Sequence, residues 1–131
     1  MLKLFARLEE ALLDIPALEK VRTIGQINEL QGFDKYVATY QLAGDAQYKQ
    51  RKGKYETPIF INLYSNLDSG DMATLWLREQ VKDQLDEVDL SNEEIKTYMV
   101  KYEGGNPQPE KNSFLEAWQC VAKFKIRWEE L

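Results

Sequence analysis

Thr57-Pro58-Ile59-Phe60-Ile61-Asn62-Leu63-Tyr64 is the stretch on which the fold turns. β-Branched and aromatic residues fill it, as in a pleated strand with at least one buried face. Side chains alternate along a strand, so Ile59, Ile61 and Leu63 share one face and Phe60, Asn62 and Tyr64 the other. Pro58 cannot donate to a ladder, which suits strand entry or an edge. Upstream, residues 33–42 (FDKYVATYQL) alternate in the same way, with Tyr36, Ala38, Tyr40 and Leu42 set against Lys35, Val37, Thr39 and Gln41. Gly44-Asp45 offers a turn or bulge, and Gly53 a second turn within the polar run 46–56. Residues 33–64 therefore read as a long antiparallel hairpin with a basic, mobile tip.

On the N-terminal side, residues 2–14 predict an amphipathic helix. Leu4, Leu8 and Leu12 recur every fourth residue, and Pro16 stops the pattern. Residues 17–32 read as a connector with a short strand around 21–24, because Gly25 and Gly32 interrupt its apolar positions. On the C-terminal side, residues 70–87 predict a second helix. Asn66, Asp68, Ser69 and Asp71 offer capping near its start. Met72, Trp76, Leu77, Val81 and Leu85 form its apolar stripe, and Arg78, Glu79, Lys82 and Asp83 its wet face. Ser91 and Glu94 have capping-box spacing, but 95–102 alternates as a strand with Tyr98, Val100 and Tyr102 on one face. The Gly-, Pro- and Asn-rich run 103–113 reads as an exposed, mobile loop. Residues 114–130 read as a last long strand. Its parity Phe114, Glu116, Trp118, Cys120, Ala122, Phe124, Ile126 and Trp128 is expected to face the core.

These elements predict a single α+β domain over 1–131. The expected architecture is a four-stranded, mainly antiparallel sheet packed against two helices, in the order α-β-β-α-β-β, with a long hairpin.

The chain has 131 residues, 44% of them hydrophobic and 30% charged, so one domain with a sizeable core is the expectation. Its net charge of −5 and pI near 4.9 argue against a duplex nucleic-acid binder, which needs a basic footprint. Cys120 is the one cysteine, which fits a reducing compartment and permits no internal disulfide. No apolar run approaches the ~20 residues of a membrane helix. Acidic residues interrupt the N-terminal apolar stretch, so no targeting segment is expected there.

No histidine is present, which removes the commonest general base and metal ligand. Cys120 falls mid-strand between Trp118 and Ala122 and reads as a small buried hydrophobe without a base partner. The pairs Glu9-Glu10, Glu93-Glu94 and Glu129-Glu130 are adjacent in sequence, so each diverges in space. Asp86, Glu87 and Asp89 read as solvated surface. Residues 66–71 carry part of a calcium-loop pattern without its full ligand spacing. Gly104-Gly105 lacks a phosphate-loop context. No cofactor, metal or catalytic residue is therefore expected. The basic tip is the strongest candidate: Lys49, Arg51, Lys52 and Lys54 between Tyr48 and Tyr55. Such a cluster can meet an acidic protein neighbour, bind single strands by charge and stacking, or remain a solvated loop.

Taken together, the layout resembles the tail-terminator (tail-completion) proteins of long-tailed bacteriophages, including the lambda-type terminator. The likeness lies in 36–44 (YVATYQLAG), 59–65 (IFINLYS), 75–81 (LWLREQV) and 120–128 (CVAKFKIRW), and in their order and spacing. It spans nearly the whole chain and rests on layout rather than invariant motifs. The resemblance implies a non-enzymatic virion protein of the tail, assembled in the host cytoplasm. Such proteins form a ring, typically hexameric, that caps the tail tube and presents a surface to the head connector. The implied partners are further copies of the chain, the tail-tube protein and the head–tail connector, with DNA only passing through the lumen and no membrane. In that setting Tyr48, Lys49, Arg51, Lys52, Lys54, Tyr55, Asn106 and Gln108 are the candidate interface residues. Two alternatives stay open: another head–tail joining or minor tail protein on the same scaffold, and a small nucleic-acid-binding adaptor.

Overall fold

A computed structural model describes residues 1–43, 48–51 and 53–131 and, for 48–51, the backbone alone. Helix α1 covers Leu2–Leu13. Its stripe Leu4, Leu8 and Leu12 is at most 1% exposed, as the four-residue spacing requires when one face meets a core. The chain then forms a short strand, β1 (Val21–Thr23), and a kinked pair of 3₁₀ turns over Ile24–Leu30. Strand β2 (Tyr36–Leu42) follows and runs parallel to β1, with Val21 opposite Ala38.

Strands β3 (Tyr48–Arg51) and β4 (Lys54–Asn66) complete the hairpin region. Antiparallel pairing runs from Leu42↔Ile59 to Tyr36↔Ser65 and, farther out, from Arg51↔Lys54 to Tyr48↔Glu56. Gly53, at φ +79°, supplies the left-handed turn residue at the tip. The expected turn at Gly44-Asp45 lies outside the described residues. Asn66 accepts a hydrogen bond from the Ser69 N–H and closes a single 3₁₀ turn, and helix α2 (Met72–Leu85) starts beyond it. Strands β5 (Ile95–Tyr102), β6 (Glu110–Asn112) and β7 (Ala117–Glu130) finish the fold.

The sheet corrects the expected architecture. The class is α+β, but the described strands form one seven-stranded mixed sheet in the order β1-β2-β4-β7-β5, with β3 on β4 and β6 on β7. A four-stranded, mainly antiparallel sheet on two helices in the order α-β-β-α-β-β does not describe it. Three local facts account for the difference. The 21–24 segment pairs in parallel with β2, a long-range choice that no local pattern encodes. One hairpin arm is described as two strands, β2 and β3, with residues 44–47 between them outside the described residues. The loop 103–113 supplies β6. The helical content also differs, because residues 24–30 wind into 3₁₀ turns rather than a plain connector.

β4 and β7 form the spine, paired without interruption from Lys54↔Glu129 to Asn66↔Ala117. One side of the spine carries both α-helices. There Ile59, Ile61, Leu63, Cys120, Ala122, Phe124, Ile126 and Trp128 join Leu4, Leu8, Leu12, Leu77, Val81 and Leu85 in the main core. Burying each large aliphatic or aromatic side chain contributes about 1.5–3 kcal/mol. On the opposite side, one end is closed by a second cluster of Leu30, Val37, Tyr64, Leu115 and Ala117.

Two strand expectations shift for identifiable reasons. β7 begins at Ala117, because residues 113–116 turn: Asn112 Oδ1 accepts the Leu115 N–H at 2.9 Å and Glu116 sits at φ +50°. Phe114 is therefore 51% exposed and Trp118 only half-buried, outside the expected core row. In β5, a bulge between Thr97 and Met99 breaks the parity, so Tyr98 points to solvent while Val100 is buried.

The 103–113 segment is pinned along β7. Glu103 N–H donates to Lys123 O at 2.7 Å, Lys123 N–H to Gly104 O at 2.8 Å, and Val121 N–H to Asn106 Oδ1 at 2.8 Å. Arg78 donates to Asn106 O at 2.7 Å, so this residue of the expected wet face works as a clamp. Gly105 has no room for a side chain, since a Cβ there would lie 1.8 Å from Val121 O.

Candidate functional site

The side of the sheet without α-helices takes its side chains from the second parity of the spine. On β7 these are Val121, Lys123, Lys125 and Arg127, and Lys101 of β5 stands opposite Lys125. Phe60 of β4 lies opposite Lys123, whose ammonium sits 5.5 Å from the ring centroid. Glu56 is shared by Lys125 and Arg127 at 3.7 Å each, and Glu103 reaches Lys125 at 3.6 Å. Lys101 and Lys123 have no salt-bridge partner among the described residues. The row is therefore cationic, and two of its charges have no ion-pair partner among the described residues.

Beneath and beside it lies a buried polar network. Asn62 Nδ2 donates to Thr39 Oγ1 at 3.1 Å and to Gln41 Oε1 at 3.0 Å, and Thr39 Oγ1 lies 3.0 Å from Tyr64 Oη. Burial pushes the Tyr64 phenol above its ordinary value, while its bond to Thr39 acts the other way. Paired groups at this depth stiffen the face rather than expose a reactive one.

The helical side presents a different surface. In α2, Leu77, Val81 and Leu85 are buried, but Met72 is 67% and Trp76 47% exposed. Met72, Trp76, Glu79 and Asp83 fall on one stripe, opposite the core stripe, and all four are exposed. The Trp76 ring rests 5.5 Å from that of Tyr36, which holds it against the body of the domain. Asp68 and Asp71 lie exposed just before the helix. The sequence reading missed this patch because it counted Met72 and Trp76 as core. A signal was present: the positions 72, 76, 79 and 83 describe a face 180° from 74, 77, 81 and 85, and a single helix cannot bury both.

The expected site residues are only partly brought together. Tyr48, Lys49 and Arg51 lie in β3, paired with Glu56, Tyr55 and Lys54. Lys52 lies outside the described residues. Lys54 is half-buried and its ammonium sits 4.7 Å from the centre of the Tyr98 ring, whose hydroxyl donates to Glu129 at 2.6 Å. Tyr55 turns inward and stacks on Trp128 at 4.8 Å, so it serves the core. Asn106 is occupied by Arg78, Val121 and Gln108 O, and Gln108 is exposed. The loop pair and the tip attach to different parts of the spine.

No protein-family model and no curated protein matches the chain.

Other chemistry-bearing groups are held in structural roles. Cys120 is fully buried, donates to Thr74 O at 3.3 Å, and burial pushes its thiol up. Tyr40 donates to Glu9 at 3.2 Å, and burial together with that carboxylate pushes its phenol up to about 12. Glu19 accepts N–H bonds from Asp34, Lys35 and Tyr36. Burial works to raise its pKa, but those three donors outweigh it and hold the carboxyl below its ordinary value. An open groove of about 580 Å³ separates Glu87–Asp89 from Thr97–Lys101 at the free edge of β5. Among the described residues no group of three His, Cys, Asp or Glu is placed to hold a metal. No helix among them is long and apolar enough to cross a membrane.

Proposed function

We propose that this chain is a non-enzymatic virion protein of a long-tailed phage or prophage that caps the tail tube as a ring and joins it to the head connector. The observation that carries the reading is the pair of unlike surfaces on opposite sides of one sheet: an apolar and acidic helix stripe, and a cationic face free of α-helices. Unlike patches on opposite sides favour head-to-tail contacts, and these close into rings when the rotation closes. The layout quoted for the sequence adds the tail setting.

The test is an arrest assay. Tail-tube protein is allowed to polymerise with and without the chain, and tube lengths and ends are examined by electron microscopy. Shorter tubes with a ring at one end are expected. Tubes of unchanged length with bare ends overturn the capping role.

A second reading has one observation in its favour. The cationic row beside Phe60 could hold a nucleic-acid strand by charge and stacking. Glu56 and Glu103 stand within that row and weaken its field, which ranks this reading below assembly.

A further inference from the structure

α2 carries a stripe that the core does not use. Along it the chemistry changes from apolar at Met72 and Trp76 to acidic at Glu79 and Asp83. The helix-free face runs from Val121, through Phe60 and Lys123 side by side, to Lys125 and Arg127, with Lys101 opposite Lys125. The two run over similar lengths. At a helical rise of 1.5 Å per residue, the stripe extends about 16 Å. At about 3.3 Å per residue, Val121 to Arg127 covers about 20 Å.

We propose that the α2 stripe of one copy of this chain docks on the helix-free sheet face of the next copy. Trp76 and Met72 cover Phe60 and Val121, while Glu79 and Asp83 meet Lys123 and Lys101. This deepens, and rests on, the ring reading, for it names the two surfaces that meet. Charge complementarity selects the occupant. Seen from the basic row, the neighbour must present acid beside an exposed aromatic anchor, and the chain itself supplies that combination. A half-exposed tryptophan backed by a second ring is the kind of residue that dominates interface energies, and flanking charges set register and on-rate. The two patches differ, so the contact propagates from copy to copy rather than ending in a symmetric pair.

The experiment uses two charge-reversed variants of the full chain. One is Lys101→Glu with Lys123→Glu; the other is Glu79→Lys with Asp83→Lys. All four side chains are exposed and both lysines lack an ion-pair partner among the described residues, so thermal midpoints within a few degrees of wild type are expected by far-UV circular dichroism. Light scattering over a concentration and salt series reads the mass. Wild type should associate, less so at high salt. Each variant alone should lose at least about tenfold in association, since like charges then face each other. An equimolar mixture should regain it, because each reversed face finds the opposite reversed stripe.

A mixture no more associated than its components overturns the docking, as do variants that assemble like wild type. If wild-type rings persist under those outcomes, the ring reading stands and its interface lies elsewhere. A wild type that remains monomeric at every concentration and salt also overturns the docking, and the tube-arrest assay then decides the capping role separately. Loss of single-stranded oligonucleotide binding in Lys101→Glu/Lys123→Glu with unchanged mass assigns the row to nucleic acid and equally overturns it.

Discussion

Two tryptophans lie on the same parity of β7, and the structure gives them different weights. Trp128 is 1% exposed, stacks on Tyr55 at 4.8 Å, and donates its indole N–H to Thr57 Oγ1 at 2.9 Å. Trp118 is half-buried, with the Lys111 ammonium 5.3 Å from its ring. Replacing Trp128 with Ala removes a fully buried ring, which costs about 3–5 kcal/mol. It also leaves the hydroxyl of Thr57, itself fully buried, without its donor, for about 1 kcal/mol more. Replacing Trp118 with Ala removes only partial burial and an exposed cation–π contact, about 1–1.5 kcal/mol together. For 131 residues the unfolding entropy near the midpoint is about 0.28 kcal/mol/K. Trp128→Ala should therefore lower Tm by about 14–21 °C, and Trp118→Ala by about 4–5 °C. Far-UV circular dichroism with thermal and urea unfolding is the assay, because tryptophan fluorescence itself changes in both variants. Equal losses, or a larger loss at Trp118, refute the assigned register of β7 and the end of its core row.

Glu19→Gln should destabilise by about 1 kcal/mol, since Oε1 accepts from Asp34 and Oε2 from Lys35 and Tyr36, whereas an amide keeps one neutral accepting oxygen and turns an NH2 toward the remaining donors, at an exposed site. The folded carboxyl titrates below its ordinary 4.5, so its contribution is present above that value and is lost as pH falls through the lower, folded one. Urea midpoints of wild type and variant measured from pH 7 down to pH 3 should converge, and a constant gap sinks the assignment. Gly105→Ala should cost about 2–3 kcal/mol, as in overpacked sites, by forcing the loop off Val121 O. Faster hydrogen exchange at the amides of Val121 and Lys123 should accompany it, and unchanged protection there contradicts the pinning.

The sequence legible in 57–64 and in the Leu4-Leu8-Leu12 stripe correctly places one strand of the spine and the face of α1, because burial on one side imposes its period directly on the residues. The same logic fails where two elements compete for one apolar residue. Met72 and Trp76 are hydrophobic, yet α2 already spends its inner face on Leu77, Val81 and Leu85, so they remain outside. The 103–113 run is polar and rich in Gly and Pro, and its composition reads as mobile. Arg78 and Asn106, far apart in sequence, tie it to β7 through backbone groups that carry no residue signature.

By itself the sequence determined the α+β class, the two α-helices, the hairpin region 33–64 and the alternation of β7, all features set by local periodicity and turn chemistry. Only the tertiary structure decided that Val21–Thr23 adds a parallel strand, that the sheet has seven strands around a β4–β7 spine, and which surfaces stay free. Strand partners and exposed faces depend on which distant segments meet, and the energy of that choice is shared among residues too far apart for any short pattern to record.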